Sequence, residues 1–456
     1  MFFFFETHGC QMNSAESAAL ALAAREEGWE AAADSSAADL VLINTCSVRK
    51  TAETRLYGRL AHYAAEKKRR QAEGRAFALV VAGCMAERLG EELKREVPAV
   101  DYVMGTQARS RFPLILKAVE ETLQNGAPGA FPALDAGDEK PVFSFSASHL
   151  AEGTSPVRSF VPIMHGCNNF CSYCIVPYVR GREISRDPAL ILEEIRLLSE
   201  KGIREITLLG QNVNSYLCEG GERLEFSDLL ELIARAIEGT PIKRLRFLSS
   251  HPKDFSEKTI KVMAEHPCFC RHLHLPVQHG SNRILSAMNR QYTREAYLDL
   301  VKRLRAAMPD LSLSTDILVG FPGETGEDLA ETLALMEEVK FFYAYTYHYN
   351  PREGTRACDF PGRVEEKTKR ERLSRVIALQ KIHTASLLEK RIGRRERVLI
   401  EEISRKNADE VLGRTERDEM VVFPGNASMI GSFAELSLAA LRGNTFFGKD
   451  LCLEVS

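Results

Sequence analysis

Eight residues, Cys167-Asn-Asn-Phe-Cys171-Ser-Tyr-Cys174, constrain this chain more than any other stretch. They follow the apolar run Phe160 to Met164 and the turn-like pair His165-Gly166. Three thiols this close can ligate one metal centre from a single loop, whereas a disulfide framework needs even pairing and an oxidising compartment. Structural zinc sites bring four ligands, usually as Cys-x2-Cys or Cys/His pairs, and the fourth is missing from this neighbourhood. On a four-iron cluster three cysteines leave one iron open, and an open iron can bind a small molecule by its amine and carboxylate. A group of buried structural cysteines is the plainer reading of the same residues.

The spacing Cys-x3-Cys-x2-Cys, with Tyr173 just before the last cysteine, resembles the signature of radical S-adenosylmethionine enzymes. The longer text from Gly166 through Ile175-Val-Pro-Tyr-Val-Arg-Gly-Arg-Glu183 is similar to the methylthiotransferases of that group.

A chain of 456 residues, 45% hydrophobic, has room for about three domains with real cores. Its net charge of −3 announces no global field for nucleic acid, so such a partner must be read from local patches. Eleven cysteines without a secretory leader are expected to stay reduced in a cytoplasm. The opening Met1-Phe-Phe-Phe-Phe5 reads as a buried strand, and no apolar run of about eighteen residues predicts a membrane span.

Residues 1–125 alternate short apolar runs with helical patterns, as a parallel α/β sheet does. Strands are expected at Phe2 to Phe5, Leu40 to Ile43 and Phe77 to Val81, with helices over Ala15 to Glu27 and Met85 to Glu96. Asn13, with Glu16 three positions on, is close to a capping box. Each strand is followed by a cysteine, at Cys10, Cys46 and Cys84. Ligand sites gather at the carboxyl ends of parallel strands, so these three can converge into a second three-thiolate site. Three independent buried cysteines fit the same text. Glu6-Thr-His-Gly-Cys-Gln-Met-Asn13, Asn44-Thr-Cys-Ser-Val-Arg49 and Ala82-Gly-Cys-Met-Ala86 resemble the family's amino-terminal domain, in which three cysteines hold an auxiliary 4Fe-4S cluster.

Residues 126–155 lose periodicity and read as a linker. From 156 to 388 six strand–helix units are expected, with strands at Phe160 to Met164, Glu205 to Leu209, Arg244 to Leu248, His272 to Val277, Leu311 to Val319 and Phe341 to Tyr349. Six units are too few for a closed eight-stranded barrel, and a partial (β/α)6 barrel fits. That is the fold the resemblance implies. The polar text after each strand suggests a polar mouth, although turn chemistry explains much of it. The resemblance places Gln211, Gln278 and Asp316 near S-adenosylmethionine, with Tyr173 against its adenine. His279 after Gln278 departs from the family's usual serine. His272 and His274 alternate on one strand and read as interior lining, while Cys218, Cys268, Cys270, Cys358 and Cys452 read as bystanders.

Two segments are locally basic. Arg49 to Arg75 carries nine Lys/Arg against three Asp/Glu, including Lys67-Lys-Arg-Arg70, and Arg363 to Arg397 carries twelve against five. Both fit solvated helix faces, and both fit phosphate contacts. Residues 389–456 read as five short strands closing a small β-barrel, at Arg397 to Ile403, Val411 to Thr415, Met420 to Phe423, Ser432 to Leu438 and Cys452 to Val455. Gly413-Arg-Thr-Glu416 and Val421-Val-Phe-Pro-Gly425 resemble the TRAM RNA-binding module, with Phe423 expected to stack on bases.

The resemblance covers nearly the whole chain. Gly9-Cys-Gln-Met-Asn13 and Leu209-Gly-Gln-Asn-Val-Asn-Ser-Tyr216 are similar to the branch acting on N6-(dimethylallyl)adenosine at position 37 of tRNA, beside the anticodon. Other branches act on threonylcarbamoyladenosine or on a ribosomal-protein aspartate. The implied mechanism uses two 4Fe-4S clusters and two S-adenosylmethionine molecules. One cluster, on Cys167, Cys171 and Cys174, cleaves S-adenosylmethionine to a radical that takes hydrogen from C2 of adenine. The other, on Cys10, Cys46 and Cys84, supplies methylated sulfur. The target base leaves the anticodon stack to lie between them. An electron donor and a sulfur source are also implied, and no catalytic residue beyond the cluster ligands stands out. A non-catalytic iron-sulfur RNA-binding protein is the rival from another class.

Overall fold

Strand and helix alternate through the first 125 residues because runs rich in β-branched and aromatic side chains are separated by alanine-rich helix formers. The computed structural model describes residues 1–47, 50–125, 157–219 and 223–454. The expected linker 126–155, together with Val48, Arg49 and Val455, lies outside them. Two compact units divide the chain. One holds the described residues before 126 with His165–Asn168 and Cys174–Ile184, and the other holds 157–164, Asn169–Tyr173 and the residues from Ser185 on.

In the first unit five parallel strands lie in the order Glu30–Ala31, Phe2–His8, Leu40–Thr45, Ala78–Gly83 and Tyr102–Met104. Alternate residues leave each strand on opposite faces. Leu40, Leu42 and Val80 pack against Leu20, Ala24 and Phe112, while Val41, Ile43 and Val81 pack against Leu56, Leu60 and Tyr63. The sheet is thus covered on both sides, as all-parallel sheets are.

Several expectations are corrected here. Two short flanking strands and the helix Phe112–Gln124 were not foreseen, whereas the basic segment read as a helix face forms the 23-residue helix Lys50–Ala72. The helix expected over Met85 to Glu96 is two short ones, Cys84–Leu89 and Glu91–Glu96, broken at Gly90, whose φ of 52° stops a helix. Asn13 does not cap the first helix, which spans Gln11–Glu26 with Cys10 at its N-cap. The basic run at Lys67 to Arg70 is half internal, with Lys68 and Arg69 exposed. Lys67 is buried and bonded to Asp101 at 2.5 Å, and Arg70 is buried with its guanidinium on Glu66 and the Ala38 carbonyl. Side chains committed to these partners cannot also neutralise phosphates.

The second unit contains six parallel strands, Arg158–Pro162, Glu205–Leu209, Arg244–Phe247, His272–His274, Ser312–Val319 and Tyr343–His348. They form two three-stranded sheets joined where Leu245 bonds to Cys268 and Cys270. The fourth strand is three residues shorter than expected, because the chain turns away after His274. Val161, Ile206, Leu245, Leu273 and Ile317 pack outward on the helices. The opposite faces carry Glu205, Arg244, Arg246, His272, His274, Ser314 and Asp316, so this half-barrel is lined with polar groups. His272 and His274 both reach Ser314 Oγ at 3.0 Å, as interior lining.

Helix Glu366–Glu389 leads into a closed barrel of Arg395–Ile403, Glu410–Thr415, Met420–Pro424, Phe433–Arg442 and Thr445–Leu453. Its last strand begins before the expected Cys452, because Gly443 (φ 60°) turns a hairpin that sequence periodicity did not reveal. Arg244 donates to the carbonyls of Arg414 and Arg397, each at 2.7 Å, and Arg246 to those of Glu416 and Thr415 at 3.0 and 3.1 Å. Glu205, buried, pairs with Arg246 at 3.0 Å and keeps those cations from being stranded in a dry interior.

Candidate cysteine-rich active site

Register explains how three distant cysteines of the first unit meet. His8 stands opposite Thr45, and Thr45 opposite Gly83, so Cys10, Cys46 and Cys84 leave three neighbouring strands at one edge. The backbone N–H of Cys46 donates to the His8 carbonyl at 3.0 Å. A hydrogen bond between the Cys10 and Cys46 side chains, with Arg180 nearby, lowers the Cys10 thiol to about 6. Burial raises Cys84, which also feels Cys10. Gly83 precedes Cys84 with φ 94°, and a Cβ there would sit 2.6 Å from the Thr45 carbonyl and strike Asn44.

Asn13 and Glu16, read as caps from sequence, serve this site instead. Asn13 Oδ1 accepts from Cys10 Sγ at 3.2 Å while its amide donates to Asn44 at 2.9 Å. Glu16 is buried and accepts two bonds from Arg180, at 2.7 and 3.2 Å. Burial works to raise the Glu16 carboxyl, but Arg180 and Arg109 more than offset it and hold it below the usual range. The Arg180 Nε–H donates to Cys84 Sγ at 3.2 Å. His165 sits among these charges, and burial with the two arginines lowers it to about 3. Arg109 carried no functional signal in the sequence, Glu16 read only as part of a cap, and Arg180 stood without a role of its own inside the family-like text.

The second triad lies on one loop. Cys167 and Cys171 are buried and Cys174 is half-buried. Gly166 (φ 79°) has no room for a Cβ against the Arg182 backbone, and Cys167 N–H donates to the Gly181 carbonyl at 3.1 Å. Around Cys171 the loop is held by Asn289, whose amide donates to the carbonyls of Asn169 and Phe170 at 3.1 Å each. Ser172 bonds to the carbonyls of Ala287 and Met288. Phe170 adopts φ 46°, which these bonds stabilise. Arg290, buried, donates to Cys171 Sγ at 3.4 Å and to the Pro276 carbonyl at 3.0 Å.

Of the expected S-adenosylmethionine contacts, Gln278 and Asp316 come together. Gln278 N–H donates to the Asp316 carbonyl at 2.9 Å, and its φ of 69° marks a sharp turn at the strand end. Tyr173 packs beside Met288, Phe321 and Tyr349 and lies close enough to Arg290 to act on its charge. Gln211 stands partly buried after the second strand. His279 turns into the core, fully buried, where its ring meets Thr332 at 3.2 Å and Glu324 at 3.5 Å. Burial pushes Cys270 up to about 12 and Cys268 to about 11, so both remain thiols.

Phe423 does not offer a face to a base: it is 3% exposed in the terminal barrel's core, because strand alternation points it inward with Val421. Phe447 on that barrel is half-buried, with Arg442 over its ring at 4.8 Å. Tyr343, Tyr345 and Tyr347 alternate along the sixth half-barrel strand with 37–46% exposure, on the face of Ser314 and Asp316. On helix Glu366–Glu389 the exposed cations include Lys367, Arg370, Arg375 and Lys381, whereas Lys369 and Arg372 are tied to Glu366 and Glu324.

Three thiols from strand ends, and three from one loop, are donor sets suited to iron-sulfur clusters, and each has an arginine N–H on a sulfur. Among the described residues no three His, Cys, Asp or Glu side chains close up around a single metal ion. No helix among them is long and apolar enough to cross a membrane.

Three family models match the chain: the uncharacterized protein family UPF0004 over residues 2–105, the radical SAM superfamily over 161–336, and the TRAM domain over 389–449. Among curated relatives, the tRNA-2-methylthio-N(6)-dimethylallyladenosine synthase of Treponema denticola is 49% identical, covering 98% of this chain and 99% of its own. The enzyme of the same name from Treponema pallidum is 49% identical (98% and 98%), and that from Syntrophus aciditrophicus 40% (99% and 95%). The fold is similar to the radical S-adenosylmethionine methyltransferase TsrM from Kitasatospora setae, with TM-score 0.59 and 17% identity over 78% of this chain and 74% of that one.

Proposed function

Since the chain belongs to the family of tRNA-2-methylthio-N(6)-dimethylallyladenosine synthases within the radical SAM superfamily, we propose that it carries out that reaction. It would place a methylthio group on C2 of N6-(dimethylallyl)adenosine at position 37 of tRNA, with two 4Fe-4S clusters and two S-adenosylmethionine molecules per turnover. The convergence of Cys10, Cys46 and Cys84 at neighbouring strand ends is the observation that carries the two-cluster reading.

Cys167, Cys171 and Cys174 would hold one cluster, and Cys10, Cys46 and Cys84 the other. When bound, the first supplies the electron that cleaves S-adenosylmethionine to a hydrogen-abstracting radical, and the second supplies the sulfur to be methylated and transferred. The chain's own residues orient and enclose. Asn289 and Ser172 fix the loop around Cys171 and Arg290 supports its sulfur. Tyr173, Gln211, Gln278 and Asp316 are the candidates to hold S-adenosylmethionine. Tyr343, Tyr345 and Tyr347 offer stacking faces for RNA bases, and the open cations of helix Glu366–Glu389 offer phosphate contacts. The domain boundaries that follow are 1–125 for the auxiliary-cluster domain, 156–388 for the radical SAM barrel and 389–456 for the TRAM domain. A tRNA substrate supports a cytoplasmic location, and the proposed reaction calls for an electron donor and a sulfur source as further partners.

Mass spectrometry of tRNA nucleosides from a deletion strain, with and without this chain restored, tests the substrate. Return of the 2-methylthio mark on the dimethylallylated adenosine is expected. An unchanged nucleoside profile refutes the assignment.

A further inference from the structure

Arg180 is 3% exposed and fully committed. Its Nε–H lies 3.2 Å from Cys84 Sγ, and its terminal nitrogens lie 2.7 and 3.2 Å from the two Glu16 oxygens. Arg109 stands 3.5 Å from the same carboxylate. Two cations and one anion thus leave one net positive charge against the three-cysteine site, and Arg180 and Glu16 are buried, where solvent screens charge weakly. Arg180 also ends the short helix Val176–Arg180, two residues after Cys174 begins its run. That helix is seated by Val179 against Cys84 and by Thr106 Oγ1, which donates to the Val179 carbonyl at 2.5 Å. The text after the loop cysteines therefore finishes inside the other cysteine site, 96 residues away from Cys84.

We propose that Arg180 is the positioning residue of the strand-end site. Held by Glu16, it aims one N–H at the Cys84 sulfur and raises the reduction potential of a cluster bound by Cys10, Cys46 and Cys84. The inference rests on the two-cluster reading above. Its physical basis is that hydrogen bonds to cluster sulfurs and nearby positive charge favour the reduced, more negative state. Glu16 does two opposed things: it aims the guanidinium and offsets its charge.

That opposition gives a test with two signs. In the full chain carrying Cys167→Ala, Cys171→Ala and Cys174→Ala only the strand-end site remains, and about four irons with matching sulfide are expected per chain. Absence of iron there refutes the two-cluster reading itself. With iron present, the midpoint potential is read by electron paramagnetic resonance during a dithionite titration. Arg180→Met should shift it negative and Glu16→Gln positive, each by at least the tenfold change in reduced fraction that equals 59 mV for a one-electron couple. Arg180→Lys, which keeps the charge and loses the Nε–H, should shift it negative by less. If Arg180→Met sheds its iron, the Glu16→Gln and Arg180→Lys signs decide. Shifts of one sign in both, or none in variants that keep their iron, overturn the proposal.

Discussion

The two cysteine sites use the same parts and assemble them by opposite routes. The loop site draws its cysteines from eight consecutive residues, so its geometry is local. The strand-end site draws Cys10, Cys46 and Cys84 from three strands and exists only once the parallel register is set. Each has a glycine at positive φ before a cysteine, Gly166 and Gly83, and each has a buried arginine on a sulfur. The arginines differ in company. Arg180 is ion-paired with Glu16, whereas Arg290 gives its other donors to the Pro276 carbonyl and the Tyr292 hydroxyl, and no carboxylate ion pair is found for it among the described residues. The sulfur-facing arginine is therefore aimed by a carboxylate in one site and by neutral oxygens in the other.

The largest effects should come from the cysteines themselves. Alanine at Cys167, Cys171 or Cys174 should abolish both cleavage of S-adenosylmethionine and methylthiolation. Alanine at Cys10, Cys46 or Cys84 should abolish methylthiolation alone, leaving 5′-deoxyadenosine formation measurable by liquid chromatography. Loss of cleavage in both series would erase the division of labour. Next, Arg290→Met should lower 5′-deoxyadenosine formation by about 10–100-fold, the usual cost of an outer-sphere partner, with partial recovery in Arg290→Lys. An unaffected rate would show that Arg290 only packs.

Gly83→Ala and Gly166→Ala test the glycine parallel. Each should cost about 2–3 kcal/mol of thermal stability, since the added Cβ meets backbone at both positions, the Arg182 backbone at Gly166 and the Thr45 carbonyl at Gly83, where it also meets the hydrogen-bonded Asn44 side chain. Iron retention should fall at the matching site only. A smaller effect concerns acid. His251, beside Arg290 and Tyr292, is held down to about 2, chiefly by burial and then by the Arg290 charge. The unfolded chain takes up this proton below about pH 6.5 while the folded one does not, so stability falls as pH drops, by about 1.4 kcal/mol per pH unit from this group. His251→Gln should flatten the fall in melting temperature between pH 6.5 and 5.5. An identical slope would place the acid sensitivity elsewhere.

Both triads were legible because cysteines are rare and their positions, within one loop or just past three strands, follow from pattern alone. The six-strand half-barrel was legible because its apolar runs recur at the spacing of strand–helix units, and each of the six expected strands overlaps an observed one. The supporting charges were not. Glu16 looked like part of a cap and Arg180 stood without a role in the family-like text after Cys174, because an ion pair spanning 164 residues leaves no periodic trace. Lys67 and Arg70 were open to a phosphate-facing reading because a charge run does not say which members fold inward onto Asp101 and Ala38. Phe423 was misjudged where alternation was available: Val421 and Phe423 share a face, and Val421 belonged in a core.

The joint between the half-barrel and the terminal barrel has a consequence for how such an enzyme can change. Arg244 and Arg246 grip four main-chain oxygens, which every amino acid supplies alike. The small barrel's outward side chains can drift while its seat stays where it was. A fixed seat makes the module a ruler: whatever its outer face holds stands at one measured distance from the half-barrel's mouth.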